Sequence, residues 1–122
     1  MNSPAKILLV DDDDDLRDVL QIILESGGYH VVESRDCTTA IRLLKEERFD
    51  IVLLDIGLPD GSGFNILEFV KESCPSSKVI MVTGTVGLAN AIKSATLGVS
   101  DYITKPFTPH YLLRSIDHAL SV

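Results

Sequence analysis

Short apolar runs alternate with stretches of helical periodicity along the whole chain. The runs at about residues 6–10, 51–54 and 78–82 are almost continuously apolar, which is typical of central strands buried on both faces of a parallel sheet. Segments 30–34 and 101–104 are shorter and more polar, which is typical of edge strands. Apolar residues spaced three or four apart predict a helix after each strand; Leu88, Ile92 and Ala95 predict the fourth. The pattern therefore indicates five strand-helix units.

Glycine and proline mark the ends of these helices. A glycine pair beginning at Gly27 ends the first helix, Pro75 follows the third, and Gly98 follows the fourth. Thr108 and Pro109 supply an N-cap and a first-turn proline for the fifth. If the second and fifth strands lie at the edges, the strand order is 2-1-3-4-5. We therefore expect an α/β fold with a flavodoxin-like, doubly wound, five-stranded parallel sheet and five helices.

Acidic residues follow two of the central strands. Asp11 and Asp12 come directly after the first strand, and Asp55 comes directly after the third. Because these strands are neighbours in the expected order, the three carboxylates should share the crevice at the switch point of the sheet. Like charges so close are unfavourable unless a cation neutralises them, and carboxylate oxygens suit Mg²⁺. The sequence therefore predicts a magnesium site. The remaining acids, 13–15, fall at the start of the first helix, where capping and the helix dipole explain them.

Length, composition and charge restrict the class of protein. The chain has 122 residues, of which 45% are hydrophobic and 24% charged, so we expect one domain over residues 1–122. Its net charge of -7 repels a phosphate backbone and argues against nucleic-acid binding. Cys37 and Cys74 have neither CxxC spacing nor a histidine cluster beside them, and are interpreted as reduced thiols. No apolar stretch has the length of a membrane span, so a cytoplasmic protein without membrane contact is expected.

Two further residues extend the chemistry of the acidic crevice. Thr83 ends the fourth strand and Lys105 follows the fifth, so a hydroxyl and an ammonium lie on the same rim. Phosphoryl transfer to a carboxylate needs cations to neutralise charge, a hydroxyl to hold a phosphoryl oxygen and an acid to attack. The residues lie in four segments: Ile-Leu-Leu-Val-Asp-Asp (7–12), Leu-Leu-Asp-Ile-Gly-Leu-Pro-Asp-Gly-Ser-Gly (53–63), Met-Val-Thr-Gly (81–84) and Asp-Tyr-Ile-Thr-Lys-Pro-Phe (101–107). Through these segments the chain closely resembles the receiver domain of two-component response regulators.

The resemblance implies a role for each acidic residue. Asp55 corresponds to the phosphoacceptor, which takes a phosphoryl group from a phosphohistidine on a histidine kinase or histidine phosphotransfer protein of a phosphorelay. Asp12 and Asp55 are expected to bind Mg²⁺ directly, Asp11 through a water, and the backbone carbonyl of Gly57 completes the protein ligands. Since near-octahedral Mg²⁺ keeps several waters, this short list of ligands is adequate.

The resemblance also implies how the signal leaves the site. Lys105 should pair with Asp55 at rest and with the phosphoryl group afterwards, and a cis peptide is expected between Lys105 and Pro106. Thr83 and Tyr102 correspond to the switch pair, which changes the face made by the fourth helix, fifth strand and fifth helix. A downstream effector or output domain would read that face. A receiver is a signalling phosphoprotein and not a turnover enzyme.

Positions that tune the lifetime of the phosphoryl group are small in this sequence. Gly57 and Thr85 occupy these positions. Neither side chain is well suited to block a water molecule from the acyl phosphate or to position one for attack, so the sequence does not predict the lifetime of the phosphoryl group. His30, His110 and His118 match no motif and are expected to be exposed or partly packed.

Other functions remain alternatives to a phosphorylated receiver. An FMN-binding flavodoxin shares the sheet order, but five aspartates in the loop after the first strand would repel its phosphate. A Mg²⁺-dependent phosphohydrolase also forms an aspartyl phosphate, yet Gly57 stands where it usually needs a second acid. A pseudo-receiver that is not phosphorylated and only binds partners is the third alternative; the complete set of rim residues argues against it. The chain ends with the fifth helix, as a stand-alone receiver or an excised domain would.

Overall fold

Five parallel strands form the main sheet of the computed structural model, which describes residues 4–84 and 87–122. The strands are β1 (Lys6–Val10), β2 (His30–Ser34), β3 (Ile51–Leu54), β4 (Lys78–Thr83) and β5 (Asp101–Thr104). Their order is β2-β1-β3-β4-β5, and every neighbouring pair is parallel. The helices are α1 (Asp14–Ser26), α2 (Cys37–Glu46), α3 (Gly63–Ser73), α4 (Leu88–Thr96) and α5 (Pro109–Ser121). The predicted flavodoxin-like order and the five helices are confirmed.

The register of the central strands places the acidic residues side by side. Val10, the last residue of β1, pairs with Leu54, the last residue of β3. The backbone N–H of Asp55 donates to the carbonyl of Val10 at 3.0 Å, which carries the ladder one residue past the strand. Residues directly after the two strands are therefore neighbours, as the sequence predicted.

Two apolar clusters, one on each face of the sheet, hold the helices in place. Alternate residues of β1 point to opposite faces, with Leu8 in one cluster and Leu9 in the other. One cluster packs against α2 and α3, and the other packs against α1 and α5. Each fully buried aliphatic side chain contributes about 1.5–3 kcal/mol, so the sheet forms a stable platform for the residues at its carboxyl edge.

Capping residues begin the helices where the sequence places them. The Asp13 carboxylate caps α1 by accepting a hydrogen bond from the N–H of Leu16 at 3.1 Å. The Thr108 hydroxyl accepts from the N–H of Tyr111 at 3.1 Å, and Pro109 occupies the first turn of α5. The predicted structural role of the acids at the start of α1 is therefore confirmed for Asp13.

Helix α4 differs from the others in the direction of its apolar residues. Leu88 and Ile92 are 77% and 55% exposed, whereas Ser94 is buried and its hydroxyl donates to the carbonyl of Asn90. The periodicity thus located the helix correctly, although its apolar residues do not join the core. They remain exposed to solvent on α4, a helix that contacts β5.

A short hairpin after β3 was missed by the sequence analysis. Residues Gly57–Leu58 pair antiparallel with Gly61–Ser62, immediately before α3. Strands of two residues carry no detectable alternation, so sequence periodicity cannot predict them. The hairpin matters because it lies directly after Asp55.

Two smaller expectations concern the cysteines and the membrane. Cys37 and Cys74 are free thiols, as predicted. In the described part of the chain, every helix is too short or too polar to cross a bilayer.

Candidate functional site

Three carboxylates meet at the carboxyl ends of β1 and β3. One carboxylate oxygen from each of Asp11, Asp12 and Asp55 lies within 4.8 Å of the others. Their exposure differs: Asp11 is 2% exposed, Asp55 is half-buried, and Asp12 is exposed to solvent. The site is therefore a crevice in which Asp11 lies at the buried end and Asp12 at the solvent-exposed end.

Lys105 supplies a positive charge to this crevice from the loop after β5. Its Nζ donates to Oδ2 of Asp11 at 2.7 Å and to Oδ2 of Asp55 at 3.1 Å. The backbone N–H of Lys105 donates to the carbonyl of Thr83 at 2.9 Å, which fixes the start of this loop against β4. The peptide bond between Lys105 and Pro106 is cis, as the resemblance implied. The structure thus contains the expected contact between Lys105 and Asp55, and also a shorter contact between Lys105 and Asp11 that the resemblance did not imply.

Thr83 holds the other oxygen of the central acid. Its hydroxyl donates to Oδ1 of Asp55 at 2.8 Å, and the residue is fully buried at the end of β4. Both carboxylate oxygens of Asp55 therefore have a donor, one from a hydroxyl and one from an ammonium. Tyr102 is half-buried on β5, where it pairs in register with Met81 and packs against the core cluster of α2 and α3. Its role as a switch stays a prediction.

Burial and charge act in opposite directions on the titratable groups. Burial raises the pKa of Asp11 above its ordinary value; the hydrogen bonds from Lys105 and from the N–H of Asp13 oppose this, and the nearby Asp55 charge adds to it. For Lys105, burial lowers the pKa, but the hydrogen bonds and charges of Asp11 and Asp55 outweigh it, so its pKa is raised. Lys105 is therefore charged at neutral pH, and it compensates part of the repulsion among the acids.

The donor set fits magnesium. Three carboxylates face one ammonium, so the crevice keeps an excess of two negative charges when all are ionised. Its side-chain ligands are all oxygens, which a hard cation prefers, and the exposure of Asp12 leaves room for coordinated waters. The two oxygens of Asp11 already accept from the N–H of Asp13 at 3.0 Å and from Lys105. Both oxygens of Asp11 therefore already have a donor, and its water-mediated role stays a prediction.

Gly63, which the sequence analysis did not single out, fixes the backbone beside the acid. An ideal Cβ at this position would lie 2.2 Å from the backbone carbonyl oxygen of Asp55, far inside contact distance. The N–H of Gly63 donates to the carbonyl of Ile56 at 2.8 Å. A glycine is required because the first residue of α3 approaches the end of β3 so closely. The glycine-rich segment at 57–63 was the available signal.

Asp60 is a second residue that the sequence analysis missed. Its carboxylate accepts hydrogen bonds from the N–H of Cys37 at 2.8 Å, the N–H of Thr38 at 3.0 Å and the hydroxyl of Thr38 at 2.7 Å. These bonds lower its pKa to about 2. Asp60 thus ties the hairpin that contains Gly57 to the amino end of α2.

Other residues singled out from the sequence lie away from the crevice or outside the described ranges. His30, His110 and His118 are exposed, as expected, and contribute no ligand to the cluster. Gly57 is exposed in the hairpin next to Asp55. Thr85 lies outside the described residues.

Comparison with known proteins agrees with this geometry. The family model "Response regulator receiver domain" matches residues 7–117. The response regulator protein PilR of Pseudomonas aeruginosa is 36% identical over 104 residues, 85% of this chain and 23% of PilR. The phosphate regulon transcriptional regulatory protein PhoB of Klebsiella pneumoniae is 34% identical over 113 residues, 91% of this chain and 49% of PhoB. The matched part of the chain thus spans 23% of the length of PilR and 49% of the length of PhoB.

Comparison with solved structures leads to the same family. A CheY-like response regulator receiver domain protein from Methanospirillum hungatei JF-1 superimposes with a TM-score of 0.94 at 38% identity, covering 98% of this chain and 95% of that one. The sheet order, the acidic crevice and the family model all lead to one assignment. The chain belongs to the receiver domains of two-component response regulators.

Proposed function

We propose that Asp55 is the phosphoacceptor of this receiver. The observation that carries the proposal is the placement of its two oxygens, one 2.8 Å from the Thr83 hydroxyl and one 3.1 Å from the Lys105 ammonium. Asp11 also accepts from Lys105, but its other oxygen accepts from the backbone N–H of Asp13 instead of a hydroxyl, and its side chain is buried. Negative charge accumulates around the acceptor carboxylate in the transition state of phosphoryl transfer, so donors to its oxygens should be in place before the reaction.

The chemical step follows from these positions. An oxygen of the Asp55 carboxylate attacks the phosphorus of a phosphohistidine, the P–N bond breaks, and the imidazole leaves with its electron pair and takes up a proton. Lys105 then pairs with a phosphoryl oxygen instead of the carboxylate, and the Thr83 hydroxyl donates to another. No turnover of an external substrate is involved, so the protein acts as a signalling module.

Asp12 and Asp55 would hold Mg²⁺ directly, with Asp11 acting through a water and the Gly57 carbonyl completing the protein ligands. The ion would supply charge neutralisation for the transferring phosphoryl group. Asp11 and Lys105 hold each other in position through their hydrogen bond. The solvent-exposed side of the crevice, at Asp12, would admit the phosphohistidine. The fit of the carboxylates to a hard cation supports this assignment.

The signal would leave the site through Thr83 and Tyr102. A hydrogen bond from Thr83 to a phosphoryl oxygen would draw the end of β4 inward, which would let Tyr102 rotate into a buried position. The face made by α4, β5 and α5 would then change. The exposed apolar residues Leu88 and Ile92 support this face as a contact surface for an effector or output domain.

The partners are a histidine kinase or histidine phosphotransfer protein upstream and an effector or output domain downstream. Curated relatives of greater length include transcriptional regulatory proteins, which supports an output domain. The proposed location is cytoplasmic. The net charge of -7 supports the absence of direct nucleic-acid contact by this segment. The phosphohydrolase alternative is disfavoured because an exposed glycine, Gly57, stands two residues after Asp55.

Chemical phosphorylation tests the acceptor. Acetyl phosphate with Mg²⁺ should add one acid- and base-labile phosphoryl group to the wild type, seen by intact-protein mass spectrometry. Asp55→Asn and chelation of the metal should each abolish it, whereas the control Asp15→Asn, at an exposed position in α1, should be labelled normally. Labelling of Asp55→Asn at the wild-type level would overturn the assignment, and an unlabelled wild type would favour the pseudo-receiver.

A further inference from the structure

Arg17 on α1 makes three contacts around the acidic loop between β1 and α1. Its Nη1 donates to the backbone carbonyl of Asp11 at 2.6 Å, its Nη2 to Oδ1 of Asp14 at 2.5 Å, and its Nε to Oε1 of Glu33 at 3.1 Å. The side chain is 14% exposed, so it packs against the protein and does not extend into solvent. One planar guanidinium therefore joins the end of β1, the first turn of α1 and the strand β2.

The Arg17 side chain is anchored to the main sheet through its hydrogen bond to Glu33. Glu33 lies on β2 and pairs in register with Leu9 of β1, one residue before the end of that strand. Burial lowers the pKa of Arg17, but the hydrogen bonds and charges of Asp14 and Glu33 outweigh it and raise the pKa. The guanidinium is thus charged and fixed at two points, which leaves Nη1 aimed at the loop.

The contact with the Asp11 carbonyl has a geometric consequence for the next residue. The peptide unit from Asp11 to Asp12 is planar, so holding its carbonyl oxygen restricts the orientation of the plane and, with it, the positions of the N and Cα atoms of Asp12. The other two carboxylates of the cluster have their own donors, since Lys105 holds Asp11 and Asp55. The Asp12 side chain is exposed, so its direction depends on its backbone.

We propose that Arg17 is a positioning residue for the magnesium site: by holding the Asp11 carbonyl, it aims the Asp12 carboxylate at the ion. The inference rests on the metal site proposed above. Arginine suits the task because its rigid fork reaches two carboxylates and a carbonyl at once, which the single ammonium of lysine cannot do. Partners outside the ligand shell typically change metal affinity by about 10–100-fold.

The sign of the effect distinguishes positioning from simple electrostatics. A positive charge near a cation site repels the cation, so loss of the charge alone should tighten Mg²⁺ binding. Loss of a positioning residue should weaken it. A residue that only stabilises the start of α1 would lower the melting temperature and leave the affinity of the folded protein for Mg²⁺ unchanged.

Mg²⁺ titration of the folded protein, followed by amide shifts or calorimetry well below the melting temperature, is the test. Arg17→Gln should raise the dissociation constant about 10-fold, and Arg17→Lys, which keeps the charge, should also raise it. The matched control Arg35→Gln removes an exposed arginine near the same surface depression and should leave binding unchanged or slightly tighter.

Glu33→Gln is the second variant, because it loosens the anchor without removing the arginine; it should weaken Mg²⁺ binding more than the control Asp15→Asn, which removes one negative charge without touching the anchor. If the wild type binds Mg²⁺ and Arg17→Gln binds it equally or more tightly, the positioning role is wrong and the metal site stands. If the wild type shows no saturable Mg²⁺ binding, the proposed metal site itself fails. Should Arg17→Gln not fold, Arg17→Lys, which keeps the charge, decides by the same criterion.

Discussion

Replacing Asp12 by asparagine tests the balance of charge in the acidic crevice. One carboxylate oxygen from each of Asp12, Asp11 and Asp55 lies within 4.8 Å of the others, so each pair involving Asp12 costs about 0.9 kcal/mol in a water-like dielectric. We use that dielectric because Asp12 is exposed and its interactions are screened. Two such pairs give about 2 kcal/mol of repulsion.

Part of this repulsion is offset by the helix that follows. Asp12 directly precedes the N-cap residue Asp13, so its negative charge interacts favourably with the amino end of α1 by about 0.3–1 kcal/mol. Lys105 lies between Asp11 and Asp55 and also attracts the Asp12 charge, so the net gain from Asp12→Asn should be at most about 1 kcal/mol in the absence of metal. For a domain of this size, about 1 kcal/mol raises the melting temperature by about 3–6 °C, so we expect a rise no larger than this.

Metal should reverse the ranking of the two proteins. At a Mg²⁺ concentration ten times the dissociation constant, linkage stabilises the wild type by about 1.4 kcal/mol, because the ion binds the folded state. Asp12→Asn lacks one direct ligand and should show little of this increase. Thermal unfolding followed by circular dichroism, with and without Mg²⁺, measures both effects.

A control and a contrary result make the test decisive. Asp15→Asn removes a charge from the first turn of α1 outside the cluster, so it should lower stability slightly and keep the full response to Mg²⁺. If Asp12→Asn lowers the apo melting temperature, the expected repulsion in the crevice is refuted; if it keeps the wild-type response to Mg²⁺, the assignment of Asp12 as a metal ligand is refuted.

Three further predictions concern the switch, the backbone and acid stability. Thr83→Ala should still accept phosphate but lose most of the NMR shift changes around Tyr102 on adding beryllofluoride; equal changes in both proteins would exclude Thr83 as the transmitter. Gly63→Ala forces a methyl group against the carbonyl of Asp55, so the free energy of unfolding should fall by about 1–3 kcal/mol in urea titrations and phosphorylation should slow; unchanged values would refute the close approach. The folded-state pKa of Asp60 is lowered from 3.8 to about 2, so its contribution to stability is present above about pH 4 and is lost as the pH falls toward 2. Urea midpoints of Asp60→Asn should therefore depend less on pH in this window than those of the wild type, and parallel curves would contradict the role of its three hydrogen bonds.

The sequence by itself determined the sheet and the place of the acids. Continuous apolar runs distinguish β1, β3 and β4 from the more polar edge strands, because central strands of a parallel sheet are buried on both faces. With the order known, Asp11 and Asp55 must be neighbours, since each directly follows a strand. These deductions need only local composition and periodicity, which burial imposes on every sequence of this fold.

Tertiary structure alone decided which groups contact those acids and how closely. Lys105 is 94 residues from Asp11 and 50 from Asp55 in sequence, and its closer approach to Asp11 depends on how the loop after β5 packs. The contacts of Arg17 likewise depend on the relative placement of a helix and an edge strand.

The outward direction of the apolar residues on α4 shows the same limit. Periodicity reports that Leu88 and Ile92 share a side of the helix, but it does not say whether that side meets the core or solvent. Distances and orientations between remote elements arise from packing of the whole chain, so no local pattern encodes them.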